Sequence, residues 1–242
     1  MVALSDHDCI LGVAEALKCG KECGITVIPA VEFDCEYTHE LHMLGEDIDP
    51  ENQELIEALR LSAKRRQERN ARIVEQLETA GLHIRAYLNK TEGIVTRMHI
   101  GLALQDAGYA LDVKDAFARY LSPGQVGYYH APRYTPAEAV KIIQRAGGIP
   151  VIAHPCNVNS NPHRLIAEMV EAGIEGIEVY HPSASAGEAE MLLSLARQYH
   201  LLVTCGSDFH GDNRKNVTLG CMWRELPELE KTYQLLMQRH EN

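Results

Sequence analysis

Short apolar runs alternate along the chain with stretches whose apolar residues recur at helical spacing. In "MVALSDHDCI" a brief run, Val2 to Leu4, ends in Ser5, Asp6, His7 and Asp8, the pattern of a buried parallel strand that delivers polar residues to a site at its carboxyl end. "LGVAEALKCGKECGI" follows as a helix stopped by Gly24, and "TVIPAVEF" reads as a second buried strand ending near Glu32. "THELHMLGEDID" suits a further strand carrying His42, before Asp49 and Pro50 open a long helix to about Gly81. From about residue 82 to 131 the pattern turns to short helices and loops broken at Gly93, Gly101, Gly108, Gly124 and Gly127, with no strand strong enough to join a parallel sheet.

Alternation resumes in "TPAEAVKIIQRAGGIPVIAHP", where Thr135 can cap a helix begun at Pro136, Gly147 and Gly148 end it, and "IPVIA" is a buried strand. "RLIAEMVEAGIEGIEVYHP" and "EAEMLLSLARQYHLLVTCGSDFHG" each read helix then strand, and each strand finishes in His or Asp. The expected fold is therefore an α/β barrel formed by residues 1–65 and 132–242, with an inserted small helical subdomain over residues 66–131.

Charge and cysteine usage narrow the function. The formal net charge of -11 disfavours a duplex nucleic-acid partner, while leaving room for a phosphate pocket built by metal cations. Seven cysteines form no disulfide framework, and with no signal peptide or long apolar span they predict a cytoplasmic protein without membrane attachment. Cys19 and Cys23 lack a partner pair for metal and read as buried small hydrophobes. The basic run Arg60, Lys64, Arg65, Arg66, Arg69 and Arg72 reads as a solvated helix face, with one or two members available to a substrate.

Collected from the strands, the candidate site is Asp6, His7, Glu32, His42, His154, His181, Asp208 and His210. Strand ends of a parallel barrel share one face, and imidazole nitrogen with carboxylate oxygen suits Mn, Zn or Fe divalent ions. A single His after a strand is an ordinary loop residue, and His181 in a His-Pro pair fits a turn as well; the conjunction is what marks a metal site.

"ALSDHD", "VIPAVEFD", "LHMLGEDID", "VIAHP" and "CGSDFHG", in this order and spacing, resemble the polymerase and histidinol phosphatase (PHP) family of metal-dependent phosphoesterases, whose fold is a distorted (β/α)7-type barrel. "GIVTRMHIGLALQDAGY" and "YLSPGQVGYYHAPRYTPAEAV" further resemble the inserted subdomain of the subgroup that removes the 3'-phosphate from nucleoside 3',5'-bisphosphates or trims short RNA from its 5' end. The resemblance implies up to three divalent ions. Glu32, His42 and His154 match the ligands of one, with Glu32 bridging; Asp208 matches a ligand of a second, and His7 and His210 two ligands of a third. It also implies that the family's first strand, with its Asp-Leu-His-x-His segment and a following Asp, is missing, so that two ligands of the second ion and one of the third are not supplied.

The implied activity is hydrolysis of a nucleotide phosphomonoester, with Asp208, His210 and His7 at the reacting centre and Arg97, His99, Arg133 and His181 binding substrate. Bound ions would activate a water and clamp the phosphoryl oxygens. The rival reading is a non-catalytic metal-binding module that serves as a scaffold; a proofreading domain of a polymerase fits less well, since the chain is acidic and has no polymerase body.

Overall fold

The computed structural model describes residues 1–88, 95–211 and 217–241, so the expected break at Gly93 lies outside the described residues. The chain forms two compact units, Met1–Leu59 with Arg133–Asn242, and Arg60–Pro132.

The first unit is built on a six-stranded sheet in sequential order: β1 (Val2–Leu4), β2 (Val27–Cys35), β3 (Leu41–Glu46), β4 (Ile149–Ile152), β5 (Gly176–Tyr180) and β6 (Leu202–Cys205). The expectation of a uniformly parallel sheet is corrected at β3, which runs antiparallel to both β2 and β4; the remaining neighbours are parallel. The reason is the short link from Cys35 to Leu41, which can close a hairpin but not a crossover, since a crossover takes a dozen or more residues. His42 is thus near the start of its strand, and because the strand is reversed that start lies at the carboxyl ends of its parallel neighbours.

β1 forms as expected but is not buried: Met1 is 45% and Val2 37% exposed, because the strand pairs on one side only, with β2. Residues of both β1 and β6 line one cavity of about 1000 Å³, so the sheet curls with its two edges facing a common space.

Helices α1 (Val13–Cys23), α6 (Pro136–Arg145), α7 (Pro162–Ala172), α8 (Ala186–Tyr199) and α9 (Pro227–Glu241) belong to this unit. α1 turns Val13 and Gly20 inward, and a Cβ at Gly20 would come within 2.5 Å of Val27 Cγ2, so glycine sets the closeness of helix to strand. Cys19 and Cys23 fall off that inward face and are exposed, which corrects the expectation that they are buried. Thr135 accepts a hydrogen bond from the Glu138 amide and Pro136 opens α6, as the sequence predicts. The core packs Phe33, Leu41 and Met43 from the sheet against Leu55, Ile143, Leu165 and Leu192 from the helices. Each such side chain contributes on the order of 2 kcal/mol by leaving water.

The second unit holds most of α2 (Gln53–Thr79), then α3 (Arg85–Leu88), α4 (Arg97–Asp106), α5 (Val113–Ala116) and a π turn at Phe117–Leu121. Its own core comprises Ile73, Leu77, Ile84, Ile100, Leu104 and Leu121. In the basic run, Arg60, Lys64 and Arg72 are exposed, with Arg72 paired to Glu75, whereas Arg65, Arg66 and Arg69 are half-buried and Arg69 donates to Oδ1 of the buried Asn70, so only part of the run is a solvated face. No helix among the described residues is long and apolar enough to cross a membrane.

Candidate metal centre

Glu32 sits well along β2 and is 6% exposed. After β1 ends, the chain keeps pairing with β2: the Glu32 amide donates to the Asp6 carbonyl and the Asp8 amide to the Glu32 carbonyl, which sets His7 beside Glu32 with Nδ1 3.6 Å from Oε2. Asp8 then turns away with φ 48°. From β3, His42 lies opposite Asp34 in the β2 register and places Nδ1 3.0 Å from Glu32 Oε1. From the turn after β4, His154 places Nε2 3.1 Å from the same oxygen and 3.2 Å from His42 Nδ1.

Three potential ligand atoms, from β2, β3 and the turn after β4, therefore converge within 3.2 Å of one another. Two imidazole nitrogens share one carboxylate oxygen, an arrangement in which two N–H groups would repel but a cation would satisfy all three. Tetrahedral coordination at about 2.0–2.2 Å asks for ligand separations of about 3.3–3.6 Å, so the trio fits a divalent ion after opening by a few tenths of an ångström. His7 adds a further ligand atom to Glu32 and His42 within 4.8 Å.

The electrostatics make this a centre that attracts positive charge, held by protons on the imidazoles until a metal displaces them. Burial works against the charge of Glu32, but hydrogen bonds from His154 and His42 and the charge of His7 outweigh it and hold the carboxyl well below the usual range. Burial pushes His42 down, yet hydrogen bonds to Glu32 and Glu40 carry it up to about 10, and Glu32 likewise raises His154 against its burial. On the outer side His42 Nε2 is 3.5 Å from Glu40 and 3.9 Å from Asp34, the outward carboxylate contact usual for a metal-binding imidazole.

The remaining strand-end residues extend the cluster. Asp208, after β6 and with φ 50°, lies with Oδ2 3.4 Å from His181 Nε2 and Oδ1 3.2 Å from His210 Nδ1. His181 is 3% exposed, and its Nδ1 accepts from the Ser183 amide, which assigns the ring proton to Nε2; that buried atom lies 3.4 Å from Asp208 without a hydrogen-bond partner among the described residues. Imidazole rings run in an arc, His210, His7, His42, His154, His181, with successive centroids 6.4, 4.8, 5.0 and 5.2 Å apart. Asp6 joins through its backbone carbonyl.

Among the expected substrate groups, Arg133 is held by carboxylates, with Nη1 2.6 Å from Asp34 and Nε 3.8 Å from Glu36. Arg97 and His99 lie in the second unit at the start of α4, where His99 Nδ1 accepts from the Thr96 amide at 3.0 Å and the Arg97 guanidinium is 5.8 Å from the Phe117 ring centre. Sequence reasoning missed Asp34 and Glu178. Glu178 carried a readable signal, a carboxylate inside the apolar run "GIEVY", where an acidic residue is buried only with a partner.

No family model matches the chain. It is 33% identical over 234 residues to the 5'-3' exoribonuclease Rnm of Escherichia coli, covering 93% of this chain and 77% of that protein. It is 32% identical over 245 residues to the 3',5'-nucleoside bisphosphate phosphatase of Chromobacterium violaceum, covering 93% of this chain and 86% of that one. A solved structure from Bifidobacterium adolescentis, assigned as a metal-dependent phosphoesterase, superposes with a TM-score of 0.81 at 28% identity over 98% of this chain and 85% of its own. With a mixed α/β fold, a cluster fit for divalent metal and these relatives, the chain is an enzyme that belongs to the polymerase and histidinol phosphatase family of metal-dependent phosphoesterases.

Proposed function

We propose that the protein hydrolyses a phosphomonoester of a nucleotide, a nucleoside 3',5'-bisphosphate or the end of a short RNA. The observation that carries this reading is the convergence of Glu32 Oε1, His42 Nδ1 and His154 Nε2 within 3.2 Å in a chain about one-third identical to a bisphosphate phosphatase and an exoribonuclease. In this reading Glu32, His42 and His154 hold one ion, Glu32 and Asp208 contribute to a second, and His7 and His210 to a third. Divalent ions supply Lewis-acid activation of water and neutralise charge on the phosphoryl oxygens.

The protein's own groups do the rest. His181 offers its Nε2 proton, buried and without a hydrogen-bond partner among the described residues, to a phosphoryl oxygen. Arg133 orients Asp34 behind His42, so it holds the site as much as it could hold a phosphate. Arg97 and His99 bind the second phosphate of a bisphosphate; an anion at the start of α4 would also be favoured by the helix dipole.

The architecture in this reading is a (β/α)7-type barrel, residues 1–65 and 132–242, with residues 66–131 inserted. Support comes from the cavity that the edge strands β1 and β6 share, as the two ends of a curled sheet do. The test is metal content of the purified protein together with phosphate release from adenosine 3',5'-bisphosphate and from a 5'-phosphorylated short RNA. Metal binding with release from either substrate is expected, with both reduced in His154→Ala. Metal binding without release from either would favour the scaffold reading.

A further inference from the structure

Glu178 takes no part in the reading above, yet its carboxylate lies between the two turns that carry His154 and Asp208. It projects from β5 and is 5% exposed. Its Oε2 accepts the His154 backbone N–H at 2.7 Å. That hydrogen bond caps a turn in which His154, a non-glycine residue, has φ 28° and ψ 57°, a region L-residues occupy only when the surroundings hold them there. The other oxygen fills the space over Gly206, where a Cβ would come 2.0 Å from Oε1. Gly206 is anchored by its amide to the Tyr180 carbonyl, and two residues later Asp208 also adopts a left-handed backbone, φ 50°.

We propose that Glu178 is a positioning residue: a buried carboxylate that fixes the left-handed turn aiming His154 Nε2 at Glu32, and that sets the height of the Gly206 to Asp208 loop by occupying the place of a side chain at Gly206. The proposal rests on the assignment of His154 as a metal ligand. It explains why a glycine follows β6, and why a charged residue is tolerated inside an apolar strand. Glu178 has one oxygen committed to a backbone donor and acts through His154.

The test compares Glu178→Ala, Glu178→Gln and Gly206→Ala with the parent protein by equilibrium dialysis against Mn or Zn and by the amide spectrum of ¹⁵N-labelled protein. Glu178→Ala should weaken binding of the tightest ion about tenfold or more and shift the His154 amide resonance. Glu178→Gln keeps an oxygen acceptor at the same place and should stay within about threefold of the parent. Gly206→Ala leaves residue 178 unchanged but displaces its carboxylate, so it should reproduce Glu178→Ala even if the alanine variant at 178 itself fails to fold. Parent-like affinity and an unshifted His154 amide in Gly206→Ala would overturn the proposal, as would equal damage from Gln and Ala at 178, which would point to direct ligation. If the parent binds no metal, the metal-centre reading fails, and the His154 amide then judges the positioning role by itself: a shift in Gly206→Ala that Glu178→Gln lacks upholds it, and none refutes it.

Discussion

The middle of the sheet and its two edges carry the same kinds of side chain in different states of order. On β2, β3 and the turn after β4, Glu32 and His42 are buried and, with His154, meet within 3.2 Å. At the edges, the side chains of His7 and His210 are 39% and 45% exposed, and their ring centroids stand 6.4 Å apart across the mouth of the cavity. A strand with neighbours on both sides has its register fixed by two ladders, and so its ligand is fixed too; a strand paired on one side leaves its ligand to the loop that follows. Readiness to bind metal should therefore fall from the centre of the sheet to its edges.

The largest effect should come from the carboxylate that joins centre and edge, since His42, His154 and His7 all face it. Glu32→Ala should lower kcat/KM at saturating Mn on the order of a hundredfold or more, a loss of about 2.7 kcal/mol of transition-state stabilisation. Parent-like values would mean that the cluster takes no part in the reaction.

Next is the contrast between ligands. His154→Ala should lower the affinity of the tightest ion on the order of a hundredfold, while His210→Ala should cost it less than about tenfold. Equal losses, read by metal titration, would erase the distinction between centre and edge.

The second unit offers a smaller effect. Arg97→Ala should raise KM about tenfold for a nucleoside 3',5'-bisphosphate and little for a simple phosphomonoester, since only the former has a second phosphate to lose a guanidinium. Equal change for both substrates would remove Arg97 from phosphate binding.

The smallest effect is on stability. Burial first, then the negative charges of Glu178 and Asp47, push Glu46 up to about 7 from its ordinary 4.5. A carboxyl raised in the folded state favours the protonated form, so its contribution is fully present below pH 4.5 and is lost as pH climbs toward and past 7. Glu46 lines the cavity and keeps some contact with water, so Glu46→Gln should stabilise the protein by about 1–3 kcal/mol at pH 8 and leave it unchanged at pH 4.5. An equal gain at both pH values, by denaturant unfolding, would assign the effect to packing.

The same contrast governs what the sequence made legible. Alternating helices and strands, the capped start of α6 at Thr135, and Glu32, His42 and His154 as strand-borne polar residues could all be read, because buried central strands leave apolar runs with abrupt polar ends. The direction of β3 was readable too, in the few residues between Cys35 and Leu41, but a uniform parallel pattern hid it. The exposure of β1 and of Cys19 and Cys23 was not legible, since apolar residues on a strand paired only once, or on the flank of a helix, look like those in a core. Nor was the engagement of Arg133 by Asp34 and Glu36, which depends on positions about a hundred residues apart meeting in space.

Glu32, His42 and His154 should bind one ion before the edge ligands do, and anomalous diffraction from crystals soaked with Mn at a single equivalent reads that order. One strong peak is expected about 2.0–2.2 Å from Glu32 Oε1, His42 Nδ1 and His154 Nε2, with the edge positions weak. A peak at Asp208, His210 and His7 instead, with the trio still hydrogen-bonded to one another, would reverse that order and refute the centre-to-edge gradient.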